Sequence, residues 1–129
     1  MKRIKLLVLL VHDQQEAFDF YTEKLGFRTH TDAAFGEGNR WLTICLPEQP
    51  DVEIALSLAA NDDMKARVGN QLDADNALFG IATEDIKADI AALKAKGVEM
   101  ASDLIEQPYG KFVFFKDLYG NKLYLSEEK

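Results

Sequence analysis

The feature that most constrains what this chain can fold into is an internal repeat. A first apolar run, Leu6-Leu7-Val8-Leu9-Leu10-Val11, ends at His12-Asp13 and leads into a helical pattern that stops at Leu25-Gly26-Phe27. A second, Leu78-Phe79-Gly80-Ile81-Ala82-Thr83, turns at Glu84-Asp85 and leads into a helical pattern that stops at Lys96-Gly97-Val98. In both, an Asp ends a strand and a Gly ends a helix about a dozen residues later.

Both helices carry physical start and stop signals. Asp13 is placed to cap the first, with Glu16 at the spacing from which a carboxylate reaches back to the cap amide. Ala17, Phe18, Tyr21 and Leu25 then share one face at helical period. Asp85 is placed to cap the second, where Ile86, Ile90, Leu93 and Val98 trace the apolar stripe. Lys94 and Lys96 complement the dipole of its last turn, and Gly26 and Gly97 read as left-handed caps.

After each helix the pattern becomes strand-like: Phe27 to Thr31, Arg40 to Leu46 and Val52 to Leu58, then Val98 to Ile105, Lys111 to Lys116 and Lys122 to Leu125. Each half therefore reads strand, helix, strand, strand, strand. The expected architecture is α+β, two βαβββ modules forming open, cup-shaped mixed sheets with helices on the outer face. Residues 1–129 form one domain in this reading: module 1 over about 1–60, a linker over about 61–76 with a short helix from Asp62 to Val68, and module 2 over about 77–129. Neither half can bury its sheet alone.

Composition narrows the function classes. Of 129 residues, 47 % are hydrophobic and 29 % charged, which suits a folded globule. The net charge of −7 repels phosphate backbones, so nucleic acid is not an expected partner, and it weakly favours a cationic ligand. The opening apolar run is too short for a signal peptide and no small-residue cleavage site follows it. No segment approaches the ~20 apolar residues of a membrane span. The one cysteine, Cys45, reads as a small core or pocket residue and fits a reducing cytoplasm.

The βαβββ repeat resembles the vicinal oxygen chelate superfamily, the glyoxalase I, bleomycin-resistance and extradiol dioxygenase group. Ala17-Phe18-Asp19-Phe20-Tyr21 through Leu25-Gly26-Phe27 is similar to its A-x-x-FY-x-x-x-LGF signature. Asp117-Leu118-Tyr119-Gly120-Asn121 resembles its D-P-x-GN turn with Leu118 at the proline position, and Gln107-Pro108-Tyr109-Gly110 is familiar from bacterial members. Read from the residues alone, Gly120-Asn121 suits a tight turn and Asp117 is placed to hold backbone amides in it. Tyr21 reads as packing the helix on the sheet.

Metal-dependent members hold an ion with His and Glu side chains on the first and last strands of each module. Carried across by distance from the motifs, the resemblance places those positions at Leu6, Ala55, Phe79 and Tyr124. Three of these have no donor atom, and tyrosine rarely binds a metal unaided. No metal, no cofactor and no catalytic residue are therefore expected. Glu53, two residues before Ala55 and so on the same face, has three readings: a solvated carboxylate, a pocket carboxylate for a cationic or hydroxylated ligand, and a metal ligand or general base. His12 and His30 read as solvent-facing or structural.

Trp41, Phe79, Tyr109, Phe112, Phe114 and Tyr124 are the aromatics expected to reach the cup, with core packing as the alternative for each. The resemblance implies a metal-independent, homodimeric small-molecule binding protein of the bleomycin-resistance type, with contacts from Trp41, Glu53, Phe79, Tyr109, Phe114 and Tyr124. The rival is a metal-dependent lyase or dioxygenase of the glyoxalase type using Glu53. A third reading is an interaction scaffold.

Overall fold

The computed structural model describes residues 1–73 and 75–128. The chain divides into two compact units, residues 1–68 and 69–129. Unit 1 holds β1 (Leu6–Val11), α1 (Gln14–Leu25), β2 (Arg28–Phe35), β3 (Asn39–Leu46), β4 (Gln49–Leu58) and α2 (Asp62–Arg67). Unit 2 holds β5 (Gly80–Ala82), α3 (Ile86–Ala95), β6 (Ile105–Gln107), β7 (Gly110–Lys116) and β8 (Lys122–Glu128). The strand orders are β1-β4-β3-β2 and β5-β8-β7-β6, each with one parallel pair in a mixed sheet. Two βαβββ modules with helices on one face are thus present, as the repeat implies.

The segment between the modules divides between the units. Its short helix, capped by Asn61, packs on β1, and Gly69 onward belongs with unit 2. No helix among the described residues is long and apolar enough to cross a membrane.

The caps form as their residues dictate. Asp13 accepts from the Glu16 amide at 2.8 Å, and Asp85 accepts from the Ala88 amide at 3.1 Å. Gly26 and Gly97 both take φ near +78°, a conformation a Cβ would strain. Beneath α1 the core of unit 1 gathers Leu9, Val11, Ala17, Tyr21, Leu42, Ile44, Ile54 and Leu56. Beneath α3, unit 2 buries Ile86, Leu93, Val98, Val113, Phe115, Leu123 and Leu125. Full burial of each such aliphatic or aromatic side chain contributes about 1.5–3 kcal/mol, which is what holds each helix to its sheet.

One expected strand is corrected. Over Val98 to Ile105 the structure has a single bridge, Met100 to Phe115, and β6 starts only at Ile105. The hydroxyl of Ser102 accepts from the Phe114 amide at 3.0 Å, so a side chain occupies the place of a backbone carbonyl and the ladder breaks there. In unit 1, β2 runs longer than its apolar pattern suggests and carries a bulge between Thr29 and Thr31, at His30.

Candidate functional site

Strand alternation decides which side chains face away from the helices. In unit 1, Leu9, Leu56 and Leu42 are on the α1 side, so their neighbours Leu6, Val8, Glu53, Ala55, Trp41 and Thr43 share the opposite face. The register agrees: Leu6 pairs with Glu53, Val8 with Ala55, and Ala55 with Thr43.

Glu53 is the chemical centre of that face and is only 5 % exposed. Its Oε1 accepts from the Thr43 hydroxyl at 2.8 Å, and its Oε2 accepts from Lys5 Nζ at 3.0 Å. His30 Nδ1 stands 3.1 Å from Oε1. Burial by itself would raise the carboxyl pKa. The hydrogen bonds from Lys5 and Thr43, with the charges of His30 and Lys5, outweigh it and hold Glu53 below its ordinary value. The same His30 Nδ1 lies 2.9 Å from the Thr31 hydroxyl, so the ring is shared between the carboxylate and its own strand.

Of the three sequence readings of Glu53, burial removes the solvated one. The depressed pKa is the wrong direction for a general base working near neutrality. The partners were missed in the sequence. His30 reaches Glu53 because the bulge at that residue re-aims its side chain, and nothing in the spacing announces a bulge.

Trp41 lies on the same face as Glu53, toward the other end of β3. It meets Phe35 edge-on at 6.4 Å and, with Phe35, Leu58 and Met64, borders a hollow of about 240 Å³.

In unit 2, Tyr124 pairs with Gly80 on one side and Phe114 on the other. Phe112, Phe114 and Tyr124 form a half-buried cluster with ring centroids 5.5 to 5.9 Å apart. Gly80 makes room for it, since a Cβ there would stand 2.9 Å from the Tyr124 ring. Phe79 lies just before β5, out of phase with Gly80 and in phase with Ile81, whose partner Leu125 is in the core. Tyr109 sits in the β6–β7 turn, 68 % exposed. The structure thus brings Phe114 and Tyr124 together with Phe112, sets Trp41 and Glu53 on one face of unit 1, and leaves Phe79 and Tyr109 off the aromatic cluster.

One of the four positions assigned to metal ligands needs correcting. Counted from the caps Asp13 and Asp85, Val8 matches Gly80 and Leu6 matches Leu78, not Phe79. Register then matches Ala55 with Tyr124 and Glu53 with Lys122. Leu6 and Ala55 are therefore not on one rung. The rung of Leu6 holds Glu53, and its counterpart in unit 2 holds Leu78 and Lys122. One carboxylate already bonded to Lys5 and Thr43, two leucines and an ammonium do not fit a divalent cation. Among the described residues no group of three or more His, Cys, Asp or Glu is placed to hold one.

A βαβββ module repeated within one chain, with a polar and aromatic strand face in each copy, defines a class of two-module chains. Residues 3–125 match the family model for the Glyoxalase/Bleomycin resistance protein/Dioxygenase superfamily, and the chain belongs to that superfamily. An uncharacterized protein of Shewanella frigidimarina is 33 % identical over 89 % of this chain and 85 % of its own length. YetH of Bacillus subtilis is 29 % identical over 98 % of this chain and 99 % of its own. Among solved structures, UcmS2 superposes with a TM-score of 0.85 at 28 % identity, covering 98 % of both chains. TnmS3, an antibiotic binding protein from Streptomyces sp. CB03234, gives 0.79 at 26 % identity, covering 100 % of this chain and 98 % of its own.

Proposed function

We propose that this member of the superfamily binds a small organic molecule on its strand faces without a metal, and acts as a binding protein rather than an enzyme. The observation that carries the reading is the aromatic cluster Phe112, Phe114 and Tyr124, centred where metal-dependent relatives were expected to present a donor. Half-buried rings packed edge-on and tilted against one another supply apolar contact area. The likeness to TnmS3 supports the same class of activity. Of the residues named from the sequence, Phe114 and Tyr124 are the strongest proposed contacts by placement, Trp41 and Glu53 are proposed on the strand face of unit 1, and Phe79 and Tyr109, off the aromatic cluster, are not retained. Against the rival lyase or dioxygenase stands the engagement of Glu53 by Lys5, Thr43 and His30. The lone, buried Cys45 supports a reducing, cytoplasmic setting.

A thermal-shift screen of metabolites and antibiotics, with metal analysis of the dialysed protein alongside, tests this. A ligand at a hundredfold excess over its Kd stabilises by about 2.7 kcal/mol, and metal should be far below stoichiometric. Stoichiometric metal that survives dialysis and disappears in Glu53→Gln would replace binder with enzyme.

The active form in this proposal is a homodimer. Strand β2 ends its sheet with all but one of its eight residues exposed, and Phe35 and Leu58 are 53 % and 52 % exposed. Long exposed edges and apolar surface favour association. Sedimentation at tens of micromolar should give twice the 14.5 kDa chain mass; a monomer there removes the claim.

A further inference from the structure

The β7–β8 hairpin sets Lys116 and Lys122 directly opposite each other in register, on the face that carries Phe114 and Tyr124. Like charges so placed destabilise an antiparallel pair. Lys116 is offset by Glu99 at 3.1 Å. Lys122 has no ion pair among the described residues; its Nζ lies over the Phe114 ring, 4.5 Å from the centroid. Both lysines border a hollow of about 240 Å³, with Leu78, Asn70, Asn76 and one carboxylate, Asp73. Two lysines thus line one hollow, and one of them is held by the Phe114 ring instead of an acid.

We propose that this is an anion subsite and that its ligand is an aromatic carboxylate, the ring lying against Phe112, Phe114 and Tyr124 and the carboxylate directed to Lys122 and Lys116. The inference rests on the small-molecule reading and adds to it the sign of the ligand's charge. The chain's net charge of −7 favours cations at a distance, but screening over about 8–10 Å leaves the contact to local charges. A charge-assisted hydrogen bond beside half-buried rings is stronger than its neutral counterpart. A bridging anion also relieves the Lys116–Lys122 repulsion, so binding and hairpin stability reinforce each other.

Calorimetric titration with 2-naphthoate, 2-naphthamide and 2-naphthylmethylamine tests the sign. The naphthoate is expected to bind about tenfold or more tightly than the amide, with the amine weakest. Added salt should weaken the naphthoate alone. Lys122→Gln should erase the preference while leaving amide binding in place, and Lys122→Arg should keep it. A melting curve checks that each variant folds, and the salt dependence of the unaltered protein tests the charge without any variant. Equal binding of the three probes overturns the anion subsite and leaves the small-molecule reading standing. Failure of naphthoate to bind also overturns it, and the function then depends on the wider ligand screen.

Discussion

Asp117→Ala is expected to melt about 10–15 °C below the unaltered protein, a loss of about 3 kcal/mol. Asp117 is 6 % exposed, and its carboxylate organises the turn between β7 and β8 alongside two backbone bonds, Asp117 N–H to the Asn121 carbonyl and Gly120 N–H to the Asp117 carbonyl. Its Oδ1 accepts from the amides of Tyr119 and Asn121, and its Oδ2 accepts from Asn121 Nδ2, all at 2.9 Å. Truncation leaves those donors without an acceptor, and each buried unsatisfied group costs about 1–3 kcal/mol, partly recovered by water. Asp117→Asn should fall between: one oxygen can still serve the two amides, but its NH2 would face the NH2 of Asn121. The same turn brings Lys116 opposite Lys122, so the alanine variant should lose ligand affinity with stability. Calorimetric melting of the three proteins decides it, and a shift of only a few degrees for Asp117→Ala would mean that the backbone holds the turn unaided.

Glu53→Gln is expected to cost about 1–3 kcal/mol at neutral pH and to flatten the acid limb of the stability curve. The folded-state pKa of Glu53 lies below its ordinary value. Its contribution is therefore fully present above the unfolded pKa of about 4.3 and is lost as pH falls through the lower folded value. Glutamine keeps an oxygen for the Thr43 hydroxyl but gives up the charge that holds Lys5 and His30. Denaturant melts at neutral pH and near pH 3 should show a smaller difference between the two proteins at the lower pH. An equal difference at both would assign the effect to packing, and no difference at neutral pH would mean that the bonds of Glu53 to Lys5, Thr43 and His30 add nothing to stability.

Much of the fold was legible because its signals are local. Asp13 and Asp85 act on amides three residues away, and Gly26 and Gly97 act on their own φ. The apolar stripes of α1 and α3 report burial directly, as Ala17, Tyr21, Ile86 and Leu93 bear out. The false strand from Val98 shows the limit: apolar character was there, but the ladder depends on which group faces the Phe114 amide, and Ser102 reached it first.

The site was legible in kind and not in registration. Tyr124 follows from its distance to Gly120-Asn121 and Phe114 from the aromatic character of its strand, and they are register partners. Phe79 was misplaced by one residue, enough to turn a side chain to the opposite face, because strand period is two and the motifs fix position only to within a residue or so. His30 was read as structural or solvent-facing, and only the bulge brings it to Glu53. Lys5 and Lys122 carried no motif.

By itself, the sequence determined the repeated module, its caps, the Asp117 turn and the composition of each strand, since all of these act through neighbours in the chain. Tertiary structure alone decided that Glu53 is buried and ionised, that Phe112, Phe114 and Tyr124 form one cluster, and that Lys116 and Lys122 stand opposite each other. Those outcomes depend on strand register and a one-residue bulge, and register is set by the pairing of segments distant in sequence, where one step reverses every side chain.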